Sequence, residues 1–375
     1  MEYRKIGENK VSLLGFGCMR FPTKDGKIDE ALSEEMIDIA IKSGVNYLDT
    51  AFPYHGGESE LFVGKILKKY DRESLYLATK LPIWDVNTLD DAKRLFNEQL
   101  TKLDVEYVDF YLIHALDKNR WKKVLELNIL DYLDELVKEG KIRNLGFSFH
   151  DDYPVFEEIL KYRKWDFCQI QYNYIDTDIQ AGDKGYELSV KLGVPLVIME
   201  PVKGGVLAML PEDVTAPLKE IRPEASTASW ALRWVANHEN VKVILSGMSS
   251  YEQVMDNLKT FEKFEPLTDE EEAAIKGVAD TINSRTRNGC TGCRYCMPCP
   301  FGVDIPRAFS IWNEYGKYGN ERKAVKRYFD ETPAEKLADV CQKCGACEAE
   351  CPQHLNIRDD LDRLHEELLK LKESK

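Results

Sequence analysis

The first two thirds of the chain alternate two kinds of pattern. Short apolar runs rich in β-branched and aromatic residues are separated by longer stretches in which apolar residues recur every three or four positions. The first kind predicts buried strands and the second amphipathic helices. Strand candidates are residues 13–17, 47–51, 75–79, 108–114, 143–148, 167–171, 196–200 and 241–246. Helical windows fall at 33–42, 58–69, 89–103 and 129–139. In the last, Leu130, Leu133, Leu136 and Val137 share one face and Gly140 follows as a terminator. Runs such as Phe110-Tyr111-Leu112-Ile113 and Leu196-Val197-Ile198-Met199 are apolar without alternation, as strands covered on both faces must be. A hairpin is expected at the start, with Tyr3 to Ile6 and Val11 to Leu14 around Gly7-Glu8-Asn9-Lys10. Eight β/α units in this length predict an α/β fold, a closed (β/α)8 TIM barrel. The alternative, an open doubly wound sheet, lacks the glycine-rich GxGxxG turn after the first strand.

The pattern then changes. Residues 267–283, opening Thr268-Asp269-Glu270-Glu271, read as a capped linker helix. Residues 305–315 and 321–329 look helical, and Leu361, Leu364, Leu368 and Leu371 form a stripe on a final helix. This implies a barrel over residues 1–265, a linker helix over 266–288 and a small, mainly α domain over 289–375.

Composition narrows the function. The chain has 375 residues and a formal charge of −14. An acidic surface argues against nucleic acid and anionic lipid. No run reaches the ~18 apolar residues of a membrane span. The start, Met1-Glu2-Tyr3-Arg4, has no secretory core, and ten cysteines suit a reducing compartment. A cytoplasmic location is expected.

Eight of those cysteines form two arrays: Cys290, Cys293, Cys296 and Cys299, then Cys341, Cys344, Cys347 and Cys351. Each array ends in Cys-Pro. Steps of this size closed by Cys-Pro are the spacing of iron–sulfur ligation. A zinc ribbon is the alternative, though repeated short steps suit a cubane better than a pair of two-cysteine knuckles. The segments after the arrays, Cys299 to Arg307 and Cys351 to Asp359, also align as a repeat. Cys18 and Cys168 lie in apolar runs and read as small core residues; Cys18 has a pocket-lining alternative.

In a (β/α)8 barrel, chemistry sits at the C-terminal ends of the strands. Strand two ends in Asp49 and its loop holds Tyr54. Strand three ends in Lys80 and strand four in His114. Singly, these are a cap, a loop aromatic, a solvated lysine and a core histidine. Together at successive strand ends they propose a site.

Over residues 1–262 the sequence resembles the aldo-keto reductase family. The segments that carry the likeness are Leu48-Asp49-Thr50-Ala51 with Tyr54 and Gly57-Glu58-Ser59-Glu60, Ala78-Thr79-Lys80, and Tyr111-Leu112-Ile113-His114. Gly146-Phe147-Ser148, Gln171-Tyr172-Asn173, and Ser246-Gly247 ahead of Gln253 and Asn257 extend it. The resemblance implies that Tyr54 is the general acid, with Lys80 lowering its pKa, Asp49 holding the lysine and His114 orienting a carbonyl. It implies cofactor contacts at Ser148, Gln171 and Tyr172, the last stacking on a nicotinamide or flavin ring. Ser246, Gly247, Met248 and Ser249 would cradle a phosphate, with Gln253 and Asn257 beyond. The loop after strand eight has no cation for a 2′-phosphate, so NADP and NAD both stay open. Lys203 beside Gly204-Gly205 reads either as a phosphate contact or as a solvated lysine.

The C-terminal arrays resemble the two halves of a bacterial two-cluster ferredoxin domain. That likeness implies one 4Fe–4S cluster on Cys290, Cys293, Cys296 and Cys351 and another on Cys341, Cys344, Cys347 and Cys299. The first array has two residues before its last cysteine where that family has three. The whole chain resembles aldo-keto reductases fused to such a domain. The expected function is oxidation or reduction of a carbonyl/alcohol pair with NAD(P)H, electrons being relayed through the clusters. Hydride carries two electrons and a cubane one, so an FMN converter belongs to the alternative. In that alternative the barrel is a flavin-binding electron-transfer module serving a protein of ferredoxin or flavodoxin type.

Overall fold

The computed structural model describes residues 1–374. The chain divides into two compact units. One is Met1–Ala208 with Glu224–Glu272; the other is Met209–Pro223 with the segment from Ala273 onward.

The first unit is a closed barrel of eight parallel strands: β1 (Leu14–Gly17), β2 (Tyr47–Asp49), β3 (Tyr76–Leu81), β4 (Val108–Leu116), β5 (Ile142–Phe149), β6 (Phe167–Gln171), β7 (Leu196–Met199) and β8 (Val241–Ser246). Each strand pairs with its sequence neighbours, and β8 pairs with β1, so the sheet has no edge. All eight expected strands are present. The open-sheet alternative is excluded by that closure. The apolar runs divide by strand periodicity. Tyr47, Ala78, Phe110, Leu112, Phe167, Val197 and Val243 fill the barrel interior, while Leu48, Leu77, Tyr111 and Ile113 belong to the cluster under the helices. Phe110 is fully buried there. Truncating it to alanine would cost about 3–5 kcal/mol.

The hairpin pairs Tyr3–Ile6 with Asn9–Ser12, and its Ile6 and Val11 join the interior cluster. A two-strand ribbon, Thr23–Lys24 with Lys27–Ile28, had no clear signal in the sequence. The helix Leu89–Leu103 shows why the helical windows fold. Thr88 and Asp91 close a capping box, and Ala92, Leu95, Phe96 and Leu103 lie buried on one face. The helix at Asp269–Ser284 starts from a similar reciprocal cap between Thr268 and Glu271.

The inward parity of each strand continues past the apolar layer to its C-terminal end. After Tyr47 comes Asp49, after Ala78 comes Lys80, and after Leu112 comes His114. After Gly146 comes Ser148, and after Phe167 comes Gln169. In the register Gln169 pairs with Ser148, while Asp49 pairs with Ala78 and Lys80 with Leu112 of the apolar layer below. A ring of polar side chains therefore caps the apolar core at one end.

In the second unit the helices Ile305–Tyr318 and Ile357–Glu373 each begin six residues after a Cys-Pro cysteine, with Asp304 and Asn356 in equivalent cap positions. The repeat read in the sequence thus extends to secondary structure. Phe309, Trp312, Tyr328, Leu361, Leu364 and Leu368 form its core. Residues expected as one helix from 321 to 329 split into Glu321–Val325 and a π turn, Lys326–Asp330. Among the described residues, no helix is long and apolar enough to cross a membrane.

Candidate active site

Lys80 organises the polar ring. Its ammonium, fully buried, donates to Asp49 Oδ1 at 2.6 Å, to the Thr50 carbonyl at 2.7 Å and to Tyr54 Oη at 3.3 Å. These contacts use all three of its protons. Because Tyr54 Oη accepts from Lys80, its own proton is left to point elsewhere. Tyr54 reaches this place on a tight turn, Tyr54–Gly57, in which His55, Gly56 and Gly57 all take positive φ. His114 stands beside it, ring centroids 6.1 Å apart, with Trp84 on the imidazole at 4.9 Å. Among the described residues His114 Nδ1 and Asp49 Oδ2 are buried without a hydrogen-bond partner.

Burial dominates the electrostatics. It raises the Tyr54 phenol above its ordinary pKa; Lys80 pulls the value down, but not enough to reverse the shift. The lowering expected from the lysine is outweighed by desolvation. Burial opposes the charged form of Lys80, yet Asp49 and Tyr54 overcome it and hold the ammonium above its usual value. Asp49 is pushed upward by burial against the pull of Lys80. His114 is driven well below its usual value, first by burial and then by Lys80, so the imidazole is neutral near pH 7.

These groups open onto a cavity of about 470 Å³ lined by Asp49, Tyr54, Lys80, His114, Ser148 and Gln169 at one end and by Ser246, Gly247, Ser249, Gln253, Asp256 and Asn257 at the other. Ser148 Oγ accepts the Ala115 N–H at 2.7 Å. Asn257 donates to Ser246 Oγ at 2.8 Å, and Gln253 Oε1 accepts the Ser249 N–H at 2.7 Å. Gly247 to Ser249 lie just before the helix Tyr251–Glu262, whose cap is Ser250.

Four residues expected at the cofactor are not among those lining this cavity. Gln171 is spent on Asp176 and Gln180, at 2.8 Å each. Tyr172 is not a platform in the cavity: its ring packs among Tyr186, Trp234 and His238, and its hydroxyl donates to Asp183 at 2.5 Å. Lys203 is paired with Asp176 and does not line the cavity. The Met248 side chain is buried in the core, whereas its expected contact was through its backbone N–H.

Gln169, which the sequence did not single out, is one of the polar groups that do face the cavity. It lines the cavity beside Ser148, and its Oε1 is buried with no partner among the described residues. Strand parity would have found it, since Phe167 faces inward. Arg20, His150 and Glu200 also line the cavity and were missed. Cys18 is fully buried and does not line it; Cys168 is a core residue as expected.

In the second unit Cys290, Cys293, Cys296 and Cys351 line one small cavity walled by Ile305, Phe309, Leu355 and Ile357. Burial raises the Cys290 and Cys296 thiols, and their near charged neighbours are other cysteines of the same set. The Lys343 N–H donates to Cys341 Sγ at 3.4 Å, and Cys341, Cys347 and Cys299 border the same apolar core. Among the described residues no three His, Cys, Asp or Glu side chains converge as around a single ion.

Comparison with known proteins agrees with this geometry. Residues 13–280 match the Aldo/keto reductase family, and residues 289–358 match a 4Fe-4S dicluster domain. The uncharacterized oxidoreductase YqkF of Bacillus subtilis is 27% identical over 311 residues, covering 74% of this chain and 96% of its own. The NADH-specific methylglyoxal reductase of Escherichia coli is 26% identical, covering 66% and 89%. Among solved structures, the holo form of the aldo-keto reductase AKR11C1 from Bacillus halodurans superposes with a TM-score of 0.63 at 29% identity, covering 74% of this chain and 96% of its own. The protein is an oxidoreductase belonging to the aldo/keto reductase family, with a 4Fe-4S dicluster domain in its C-terminal part.

Proposed function

We propose that the barrel reduces a small carbonyl compound to an alcohol with a nicotinamide dinucleotide. The observation that carries this is the Lys80 ammonium bridging Asp49, the Thr50 carbonyl and Tyr54 Oη at the mouth of an open cavity. A dinucleotide held in that cavity would supply a hydride to the carbonyl carbon. Tyr54 gives its proton to the carbonyl oxygen, and Lys80 stabilises the phenolate left behind. Asp49 keeps the lysine charged and in place. Neutral His114 donates an N–H to the same oxygen, orienting the carbonyl and stabilising charge as it builds. The orphaned Gln169 and the half-used hydroxyl of Ser148 fit the amide end of a nicotinamide, and the glycine-lined run to Gln253 and Asn257 fits the remainder. A cavity that continues from Tyr54 to Asp256 suits two nucleotide halves better than one FMN. The loop after β8 lacks a cation, which favours NADH, as does the likeness to an NADH-specific methylglyoxal reductase.

The domain at 289–375 is assigned two 4Fe–4S clusters, on Cys290, Cys293, Cys296 and Cys351 and on Cys341, Cys344, Cys347 and Cys299. A cubane is several atoms across and needs thiolates spread around a cavity. The first four cysteines are arranged in that way. One-electron exchange with a small redox protein of ferredoxin or flavodoxin type is the role this domain would add. The Tyr54→Phe variant tests the barrel reading. Turnover of an aldehyde should fall about 10²- to 10⁴-fold while dinucleotide affinity stays near that of the parent. Retention of most turnover would remove Tyr54 from the proton-donor role.

A further inference from the structure

The loop after β8 has no cation of its own, but one lies across it. Arg20, on the loop after β1, lines the cavity. Its stem runs over Gly247: a Cβ placed there would sit 3.2 Å from Cβ, Cγ and Cδ of Arg20. Its Nη2 ends 3.6 Å from where a Cβ of Gly204 would be. One side chain thus spans the β8 loop and reaches the β7 loop. Its base is fixed, because Ser249 Oγ donates to the Arg20 carbonyl at 2.7 Å.

The guanidinium makes no hydrogen bond or ion pair among the described residues, leaving its five N–H donors unspent. The neighbouring cation on the β7 loop, Lys203, is engaged by Asp176 and does not line the cavity. An unpaired guanidinium laid between two glycines is a receptor for an anion. Its place along the cavity says which anion. Ser148 and Gln169 mark the catalytic end, and Gln253 and Asn257 mark the far end. In barrel order the β7 loop that Arg20 reaches lies between β6, which carries Gln169, and β8, whose loop and helix carry Gly247, Gln253 and Asn257.

Resting on the dinucleotide reading, we propose that Arg20 binds the diphosphate of the cofactor. It is a specificity-determining residue for dinucleotides in general, not a reader of the 2′-phosphate. Gly204 and Gly247 leave the room it needs.

The test is Arg20→Met, with Arg20→Lys as the conservative variant. Dissociation constants for NADH and NADPH are measured by quenching of protein fluorescence at two salt concentrations. Both constants should rise by a common factor of about ten to a hundred, with a weaker salt dependence, and lysine should recover part of the loss. In turnover, KM for the dinucleotide should rise more than kcat falls. Unchanged affinity overturns the proposal, and so does a loss confined to NADPH. Should the parent bind neither dinucleotide, the proposed function fails separately. Inorganic pyrophosphate then decides for Arg20: binding lost in Arg20→Met keeps the anion site, and no binding to the parent overturns it.

Discussion

Replacing Lys80 by methionine removes the hub of the site and separates its structural role from its chemical one. The Lys80–Asp49 pair is buried, with a contact of 2.6 Å. Coulomb attraction at that distance is roughly 6 kcal/mol at an effective dielectric constant of about 20. Desolvation of both ions offsets much of it. Removing the lysine alone leaves Asp49 as an uncompensated buried carboxylate whose Oδ2 already lacks a partner. The expected destabilisation of the barrel is about 3–5 kcal/mol. Adding Asp49→Asn removes the stranded charge and should restore a large part of that stability. It should restore none of the turnover, because Tyr54 still lacks its cation. The assays are urea unfolding followed by tryptophan fluorescence and steady-state reduction of an aldehyde. A double variant no more stable than Lys80→Met would refute the charge argument. Substantial turnover in either variant would refute the catalytic one.

Three further outcomes follow. Reduction needs the protonated phenol, and burial raises the Tyr54 pKa, so kcat should stay level through neutral pH and fall only as pH rises through a value above about 10; a fall centred between pH 6 and 8 would point to another acid. Gln169→Leu should raise the KM for dinucleotide about tenfold or more, whereas Gln171→Leu should act mainly on stability; the reverse order would return Gln171 to the site. Anaerobically reconstituted protein should hold about eight iron atoms per chain, as two cubanes require; four, or stoichiometric zinc, would contradict the assignment.

Much of the barrel was legible because its strands are apolar on both faces and its helices on one. The candidate set was legible because Asp49, Lys80 and His114 fall at the C-terminal ends of successive strands, with Tyr54 in the loop after the first of them. What failed was reach in space. Gln171 and Gln169 share the inward parity of β6, and only the level set by pairing with Ser148 separates them. Tyr172 faces the opposite way, into an aromatic cluster that residues from two distant helices complete. Lys203 has its partner in Asp176, 27 positions away on another loop, which no local pattern signals. Arg20 had no signal at all, since its importance lies in crossing two loops that meet only when the barrel closes. The assignment of Met209–Pro223 to the second unit is likewise invisible in a linear reading.

The central claim is that hydride passes directly to a carbonyl in this cavity. The measurement is reduction of an aldehyde by NADH carrying deuterium at the transferable position, with the product examined by mass spectrometry and NMR. One deuterium on the carbinol carbon of each product molecule is the predicted result. Alcohol formed without deuterium would mean that electrons arrive through a carrier that exchanges with water, and direct transfer would be wrong.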